Sequence, residues 1–401
     1  MPTWFKIALA AAVAAPALVL RLGGIHLSPV PSLLVFGPAV VAAAFLLVWA
    51  AEAARHDISG SLATAILAVI AVLPEYAVDL YFAWSAGHVP QNAHYAAANM
   101  TGSNRLLLGL GWPFVAVLFA WGAWRRGEPA RAVELHSSRR TELAFLGAAS
   151  LYALIIPFTR RLALYDSVVL LPLFGLYLWR SAQGERSEPD LVGVARQIGE
   201  LPRRVRRLTV AGMFVAATAI VLLASEPFAQ ALVSGGRQLG IDEFLLVQWL
   251  APLASESPEL LVAAVLALRG HQDASLGTLL SSKVNQWTLL VGSLPVAYAV
   301  GGGAAGGIVL DARQTEEFIL TAAQTLLGLA VLIDLRFALW EAIALFALFA
   351  LQFPFPQTGV RLGFAAGYAA IALVLLVRRR SEIPSIVRAA RGTRSTARPA
   401  T

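Results

Sequence analysis

Apolar runs of about twenty residues recur along the whole of this 401-residue chain. Each run is long enough to cross the hydrocarbon core of a bilayer as an α-helix. Backbone groups in lipid must be satisfied within the segment itself, so such runs form helices rather than open sheets. Since 58% of the residues are hydrophobic and only 14% are charged, the chain is predicted to be an all-α polytopic membrane protein.

The positions of these runs predict about twelve transmembrane helices. They lie near residues 4–22, 30–51, 60–86, 94–122, 142–158, 163–180, 208–233, 241–268, 272–300, 316–334, 337–353 and 359–377. Within the first run Lys6 precedes an apolar stretch, as in a signal peptide, but the membrane pattern that continues behind it favours a retained helix. Cleavage there would leave the orientation of the other helices unchanged.

A polar stretch at 181–207 separates two sets of five predicted helices, 30–180 and 208–353. This linker is long enough for a short amphipathic cytoplasmic helix. An odd number of crossings in each half turns the second half upside down relative to the first, which predicts the inverted-topology repeat of many secondary transporters. Three segments lie outside the repeat, namely an N-terminal helix in 1–29, a C-terminal helix in 354–380 and a basic tail, 381–401, predicted to be disordered.

The net charge of the chain is +7, and in this interpretation its basic residues set the orientation of the chain in the membrane. With the N-terminus in the cytoplasm, 23 Lys and Arg residues fall on cytoplasmic segments, 6 fall outside, and Arg105 and Lys283 lie within spans. This is the positive-inside pattern of a plasma-membrane protein with both termini cytoplasmic, and it argues against nucleic-acid binding. The absence of cysteine from the sequence excludes disulfides and thiolate metal sites.

One pattern occurs twice in the chain. In each copy a Pro-Glu pair lies within an apolar helix, and the next helix begins with small polar residues. The first copy has Pro74-Glu75 and residues 98–104, and the second has Pro258-Glu259 and residues 277–283. Glu75 and Glu259 are 184 residues apart. Ionisable groups at bilayer depth are costly, so the two glutamates predict a binding site where the repeats meet.

The residue types around the two glutamates favour a hard cation. Proline removes a backbone donor and releases a carbonyl one turn earlier, beside each carboxylate. Carboxylate, carbonyl and hydroxyl oxygens suit Na⁺ or Ca²⁺. Neutral oxygens can come from Asn99, Thr101, Ser103, Asn104, Thr278, Ser281 and Ser282. A single Pro-Glu pair is more typical of a kink with a satisfied carboxyl group, but the paired occurrence in matching order favours an ion site.

These two segments resemble the α-repeats of the sodium/calcium exchanger superfamily (Ca²⁺:cation antiporters), which read roughly S-x-P-E followed by G-N-x-x-G-S-N-x-x-N. The resemblance covers residues 70–111 and 254–292. It implies a ten-helix core of two inverted halves whose two midplane glutamates bind Ca²⁺ or Na⁺/H⁺ in alternation. It assigns Glu75 and Glu259 as principal ligands. The supporting residues of the predicted metal site are Ser103, Ser282, Ser255, Glu256, Asn99, Asn104 and Thr278.

The departures from the family pattern point to proton coupling. Leu107, Lys283 and Gln286 stand where the family has Asn or Asp, so neutral oxygens are lost and an ammonium is gained. An ammonium close to the acids lowers their pKa values and competes with a metal ion. We therefore assign Lys283, Asp79 and Gln286 to H⁺ coupling, with a Lys–Glu pair that opens when a cation arrives. The alternative is that Lys283 is a packing residue paired locally with an acid.

The function predicted from the sequence is secondary antiport of Ca²⁺ or Na⁺ against Na⁺ or H⁺ by alternating access. The expected partners are inorganic cations and the lipid bilayer, with a possible homo-oligomer, no cofactor and no enzymatic activity. Two alternatives remain open, a degenerate exchanger with a sensor or structural role and an intramembrane enzyme that uses paired carboxylates. The near-matched repeats argue against the enzyme, which would need an asymmetric catalytic pair.

Overall fold

The computed structural model describes residues 3–54, 57, 73–128, 131–183, 191–355 and 357–391. In the first half of the chain the helices are α1 (Thr3–Leu22), α2 (Pro29–Ala54), α3 (Leu73–Ala86), α4 (Ala93–Leu106), α5 (Trp112–Arg125), α6 (Arg140–Ala153), α7 (Ile156–Thr159) and α8 (Leu164–Ala182). Two short strands, β1 (Ala132–Glu134) and β2 (Arg161–Leu162), lie between them.

The second half repeats this order after the short helix α9 (Gly193–Gly199). Its helices are α10 (Arg203–Leu239), α11 (Glu243–Leu268), α12 (Gln272–Asn285), α13 (Val291–Val300), α14 (Ala312–Leu332) and α15 (Leu339–Leu351), followed by α16 (Thr358–Arg378) and α17 (Ile383–Arg391). Its strands are β3 (Ile308–Val309) and β4 (Arg336–Ala338).

Each of the twelve predicted apolar runs overlaps helix in this structure. Within the described residues, eight helical segments are long and apolar enough to cross a membrane. The all-α polytopic prediction is confirmed. The prediction of disorder from residue 381 is wrong for Ile383–Arg391, because α17 buries Ile386 against the bundle and Arg180 donates to the carbonyl of Arg391 at 2.6 Å.

The backbone of the two halves is closely matched around the repeated motif. An offset of 179 residues places α4 on α12 over their whole length, and the five-residue π-helical segments that follow, Leu107–Gly111 and Gln286–Leu290, share this offset. π-Helical turns are rare and occur frequently at functional sites. Their matching positions indicate that the repeat extends to irregular backbone as well as to helices.

The two small sheets follow the same pseudo-symmetry. β1 pairs antiparallel with β4, and β2 pairs antiparallel with β3. By chain order β1 corresponds to β3 and β2 to β4, so exchanging the halves converts one sheet into the other. Each sheet therefore joins the two halves.

Small side chains allow the long helices to approach one another. α2 packs closely against α10, and Ala39, Ala43 and Ala50 of α2 are fully buried. A Cβ on Gly37 would lie 3.3 Å from the ring of Phe228. Because lipid supplies no hydrophobic drive between helices, close packing of small residues is the expected means of association.

Candidate ion-binding site

The proline positions in α11 determine which backbone carbonyls lack a helical partner. α11 continues through both Pro252 and Pro258. Pro258 cannot donate to the carbonyl of Ala254, and the Ser257 hydroxyl donates to that oxygen instead, at 3.0 Å. The carbonyl next to Glu259 that we expected to be available to an ion thus has a local donor.

The Glu259 carboxylate lies where α11 meets α12. The Ser282 hydroxyl donates to one of its oxygens. Glu259 is partly exposed, whereas Glu256 and Ser282 are buried. Glu52, near the end of α2, lies within electrostatic range of Glu259. Among the described side chains, Glu259 is the most accessible acid of the predicted site. Its contact with Ser282 combines a carboxylate with a hydroxyl, as hard-cation sites do.

Glu75 belongs to the first turn of α3, but its side chain lies outside the described part of the structure. Its distance from Glu259 therefore stays a prediction. Within the described residues, no group of three or more His, Asp or Glu side chains is placed to hold a metal ion.

A second contact of the predicted residues joins α11 to the π-helical segment after α12. Gln286 donates through Nε2 to Oε1 of Glu256 at 2.8 Å, and both side chains are buried. Glu256 precedes Glu259 by one helical turn, so the two acids occupy one face of α11. The pairing fixes the orientation of Gln286 toward the acids that the sequence assigned to the site.

The third contact links the equivalent residues of the two repeats. Lys283 donates to Oδ1 of Asn104 at 3.0 Å and also to its backbone carbonyl. Lys283 is fully buried and lies over the ring of Trp287, 5.9 Å from its centroid. The 179-residue offset makes Asn104 and Lys283 counterparts. Counterparts that touch must lie near the pseudo-twofold axis, where an inverted-repeat transporter has its substrate site.

The fourth pair is Asp79 on α3 and Asn99 on α4. Both are buried, with exposed fractions of 0% and 1%, and they face one another. None of their side-chain oxygen and nitrogen atoms has a hydrogen bond of acceptable geometry. A buried carboxylate without a well-formed hydrogen bond is costly, so this position is suited to a proton or a cation.

Three predicted residues use their hydroxyl groups on their own helices. Ser103 donates to Met100 O at 3.2 Å, Thr278 to Ala274 O at 2.9 Å, and Ser255 to Ala251 O at 3.2 Å. In this conformation their donated protons are used within the helix, although each hydroxyl oxygen keeps acceptor capacity.

Two positions with charged residues were missed or misplaced at the level of sequence. Glu52 lies one residue beyond the predicted run 30–51 and was not singled out, but the helix in the structure continues to Ala54 and includes this acid. Arg105 lies within a predicted span, and its guanidinium contacts Glu317 on α14 rather than the acids of the predicted site. Sequence periodicity reports that a residue is buried, and it does not report which distant helix supplies its partner.

Comparison with known proteins identifies relatives of this architecture. The sequence profile of the family described as "Sodium/calcium exchanger protein" matches residues 29–183 and 209–355. The crystal structure of an H⁺/Ca²⁺ exchanger, CAX, is 41% identical to this chain, with a TM-score of 0.91 and coverage of 97% of this chain and 98% of that one. No curated protein sequence matches.

More distant solved structures share the fold. YfkE is 17% identical, with a TM-score of 0.63 and coverage of 91% of this chain and 99% of that one. The sodium–calcium exchanger NCX_Mj is 16% identical, with a TM-score of 0.52 and coverage of 88% and 100%.

Proposed function

Because the chain belongs to the sodium/calcium exchanger family, we propose that it exchanges Ca²⁺ against H⁺ across a membrane by alternating access. The proposal places the cation between Glu259 and Glu75, with Ser282 as a supporting ligand. The observation that carries it is the Glu259–Ser282 contact, which puts a partly exposed carboxylate and a hydroxyl together on the two helices of the second repeat motif.

The contact between Lys283 and Asn104 supports H⁺ rather than Na⁺ as the counter-ion. The ammonium occupies both oxygens of Asn104, which are neutral ligands of the kind that Na⁺ requires. Leu107 supplies no oxygen at all. A site with two acids and few neutral ligands suits a divalent ion whose release is matched by protonation of the acids. The 41% identical CAX is described as an H⁺/Ca²⁺ exchanger, which also supports this choice.

The proposed location is the plasma membrane, with both termini in the cytoplasm. The positive-inside distribution supports this orientation. Asp57 and the arginines 203, 206 and 207 are on the side assigned to the cytoplasm and pair there.

Flux through reconstituted protein tests the proposal. We expect ⁴⁵Ca²⁺ to accumulate in liposomes only under an imposed pH gradient of the correct sign, with H⁺ movement in the opposite direction. Na⁺ and K⁺ gradients of equal size should drive little uptake. Absence of any coupled flux would contradict the transport proposal and favour the degenerate exchanger. Uptake driven by Na⁺ alone would contradict the choice of counter-ion.

A further inference from the structure

A buried cluster of charges lies away from the proposed ion site. Glu317 on α14 accepts hydrogen bonds from Arg105 on α4 through one carboxylate oxygen and from Arg361 on α16 through the other. Arg361 also pairs with Glu316, with Nε 3.0 Å from Oε1. Arg105 donates to the side chain of Gln352 at 2.5 Å. The Arg105 and Glu317 side chains are 1% and 0% exposed, so the cluster is fully enclosed at its centre.

The cluster balances its own charge, with two arginines and two glutamates. An unpaired charge in the membrane interior is strongly unfavourable, so these four side chains must be held together. Glu317 is the shared member, because each of its oxygens serves a different helix. Its carboxylate thereby connects α4 to α16 through α14.

Arg105 is held on several sides. Its guanidinium lies 5.1 Å from the ring centroid of Trp249 on α11, and its backbone carbonyl accepts from Gln324 at 3.4 Å. The preceding residue, Asn104, accepts the hydrogen bonds of Lys283. Successive residues point about 100° apart around a helix, so fixing Arg105 fixes the rotation of α4 and the direction in which Asn104 points.

We infer that Arg361, Glu317 and Arg105 are positioning residues through which α16 sets the orientation of α4 and therefore of Asn104. The second repeat has no such tie at the equivalent place, because Val284 corresponds to Arg105. The family profile ends at residue 355, so the helix that completes the cluster lies outside the matched repeats. The part of the inference that concerns transport rests on the proposed Ca²⁺/H⁺ exchange.

The double variant R361M/E316Q separates positioning from charge balance. It removes the tie to α16 but keeps the Arg105–Glu317 ion pair, which has no net charge, so no charge is left unmatched. We expect the apparent KM for Ca²⁺ to rise about fivefold, with the maximal rate per folded protein within about twofold of wild type. The matched control is R378M, an exposed arginine at the other end of α16, which should behave as wild type.

Hydrogen exchange of the backbone amides of residues 99–106 provides a readout that does not need transport. It should be faster in R361M/E316Q and unchanged in R378M, because only the first variant removes the tie between α4 and α16. An unchanged KM together with unchanged exchange would overturn the inference. A loss of rate proportional to loss of folded protein, with KM unchanged, would show a merely structural role. If wild type itself shows no Ca²⁺ flux, the proposed function fails and the exchange data alone decide this inference.

Discussion

The second helices of the two repeats, α4 and α12, share one backbone plan but differ in the side chains that face their neighbours. At position 102 the first repeat has Gly where the second has Ser281, and at position 104 it has Asn where the second has Lys283. A Cβ on Gly102 would lie 1.8 Å from the carbonyl oxygen of Gln248, whereas the second repeat accommodates a side chain at the equivalent place. Pseudo-symmetry therefore determines which positions meet, and the individual side chains determine the chemistry there.

The helices α6 and α14 correspond by chain order, and each has a buried acid near its start. The partners of these two acids also differ between the halves. Glu142 near the start of α6 is paired with Arg139, three residues earlier and partly exposed, and Arg139 also binds Asp273. Glu317 near the start of α14 is paired instead with an intramembrane arginine and with α16. In the first half the buried acid pairs with an arginine three residues earlier, and that arginine makes the link to α12, whereas in the second half the acid itself joins α4 to α16.

The largest expected effect is that of removing the accessible carboxylate of the second repeat. E259Q keeps the shape of the side chain but removes the charge that a divalent cation requires, so Ca²⁺ flux should fall about 100-fold or more. The measurement is pH-driven ⁴⁵Ca²⁺ uptake into liposomes. The matched control is E226Q, a membrane acid paired with Arg21, which should retain flux. Equal losses in both variants would contradict a special role for Glu259.

The close approach at Gly102 predicts the next largest effect. G102A forces the backbone of α4 away from Gln248, and overpacking of this kind costs about 1–3 kcal/mol. The melting temperature in detergent should therefore fall clearly below that of wild type. S281A, at the equivalent position of the second repeat, creates no clash and should lower the melting temperature much less. Similar stability of G102A and wild type would show that α4 can move without cost.

The asymmetric pair at the pseudo-axis predicts a change in pH dependence. K283N makes the second repeat resemble the first, so the ammonium no longer competes with a cation. Transport should persist, and its rate should depend much less on pH between about 6 and 9 than in wild type. Rate measurements over this range, with internal pH held fixed, check the prediction. A pH profile identical to that of wild type would favour a packing role for Lys283.

The smallest effect is expected at the end of α2, outside the membrane-spanning helices. The hydrogen bonds from Arg206 to Asp57, with smaller contributions from Arg207 and Arg203, lower the pKa of Asp57 to about 2. Because the folded-state pKa is depressed, this stabilisation is present above the unfolded pKa of about 4 and is lost as the pH falls through about 2. At neutral pH, D57N should lower the free energy of unfolding by about 1 kcal/mol.

Thermal melting as a function of pH checks this last prediction. The difference between wild type and D57N should be full at neutral pH and should shrink toward the acidic end of the accessible range. E200Q removes an exposed pair with Arg196, in which both side chains are 64% exposed, and should change stability by less than D57N. A difference that grows on acidification would have the wrong sign for a depressed carboxyl pKa.

Much of this architecture could be predicted from the sequence because membrane-spanning helices follow from length and hydropathy alone. The repeated Pro-Glu pairs located α3 and α11, and the hydroxyl-rich segments located α4 and α12. The structure then brings Ser282 to Glu259 and Gln286 to Glu256, as residues of one predicted site.

Other features could not be predicted because they depend on which distant helices touch. The partners of Arg105 lie 212 and 247 residues away, at Glu317 and Gln352. Single-sequence patterns contain no information on such pairs. The helix at Ile383–Arg391 was missed because its basic composition resembles a disordered tail, whereas a few apolar residues such as Ile386 are sufficient to anchor it.

The central claim is that Glu75 and Glu259 meet across the pseudo-axis, and cross-linking tests it most directly. Because the chain contains no cysteine, E75C/E259C can be treated with a short bifunctional thiol reagent and then cut at a protease site introduced in the linker at 184–190. The two halves should remain joined, Ca²⁺ should not be transported, and the pair E75C/L261C should separate, since Leu261 is 52% exposed on the outer face of α11. Separation of the halves in E75C/E259C, under conditions in which both thiols react, would contradict the shared two-glutamate site.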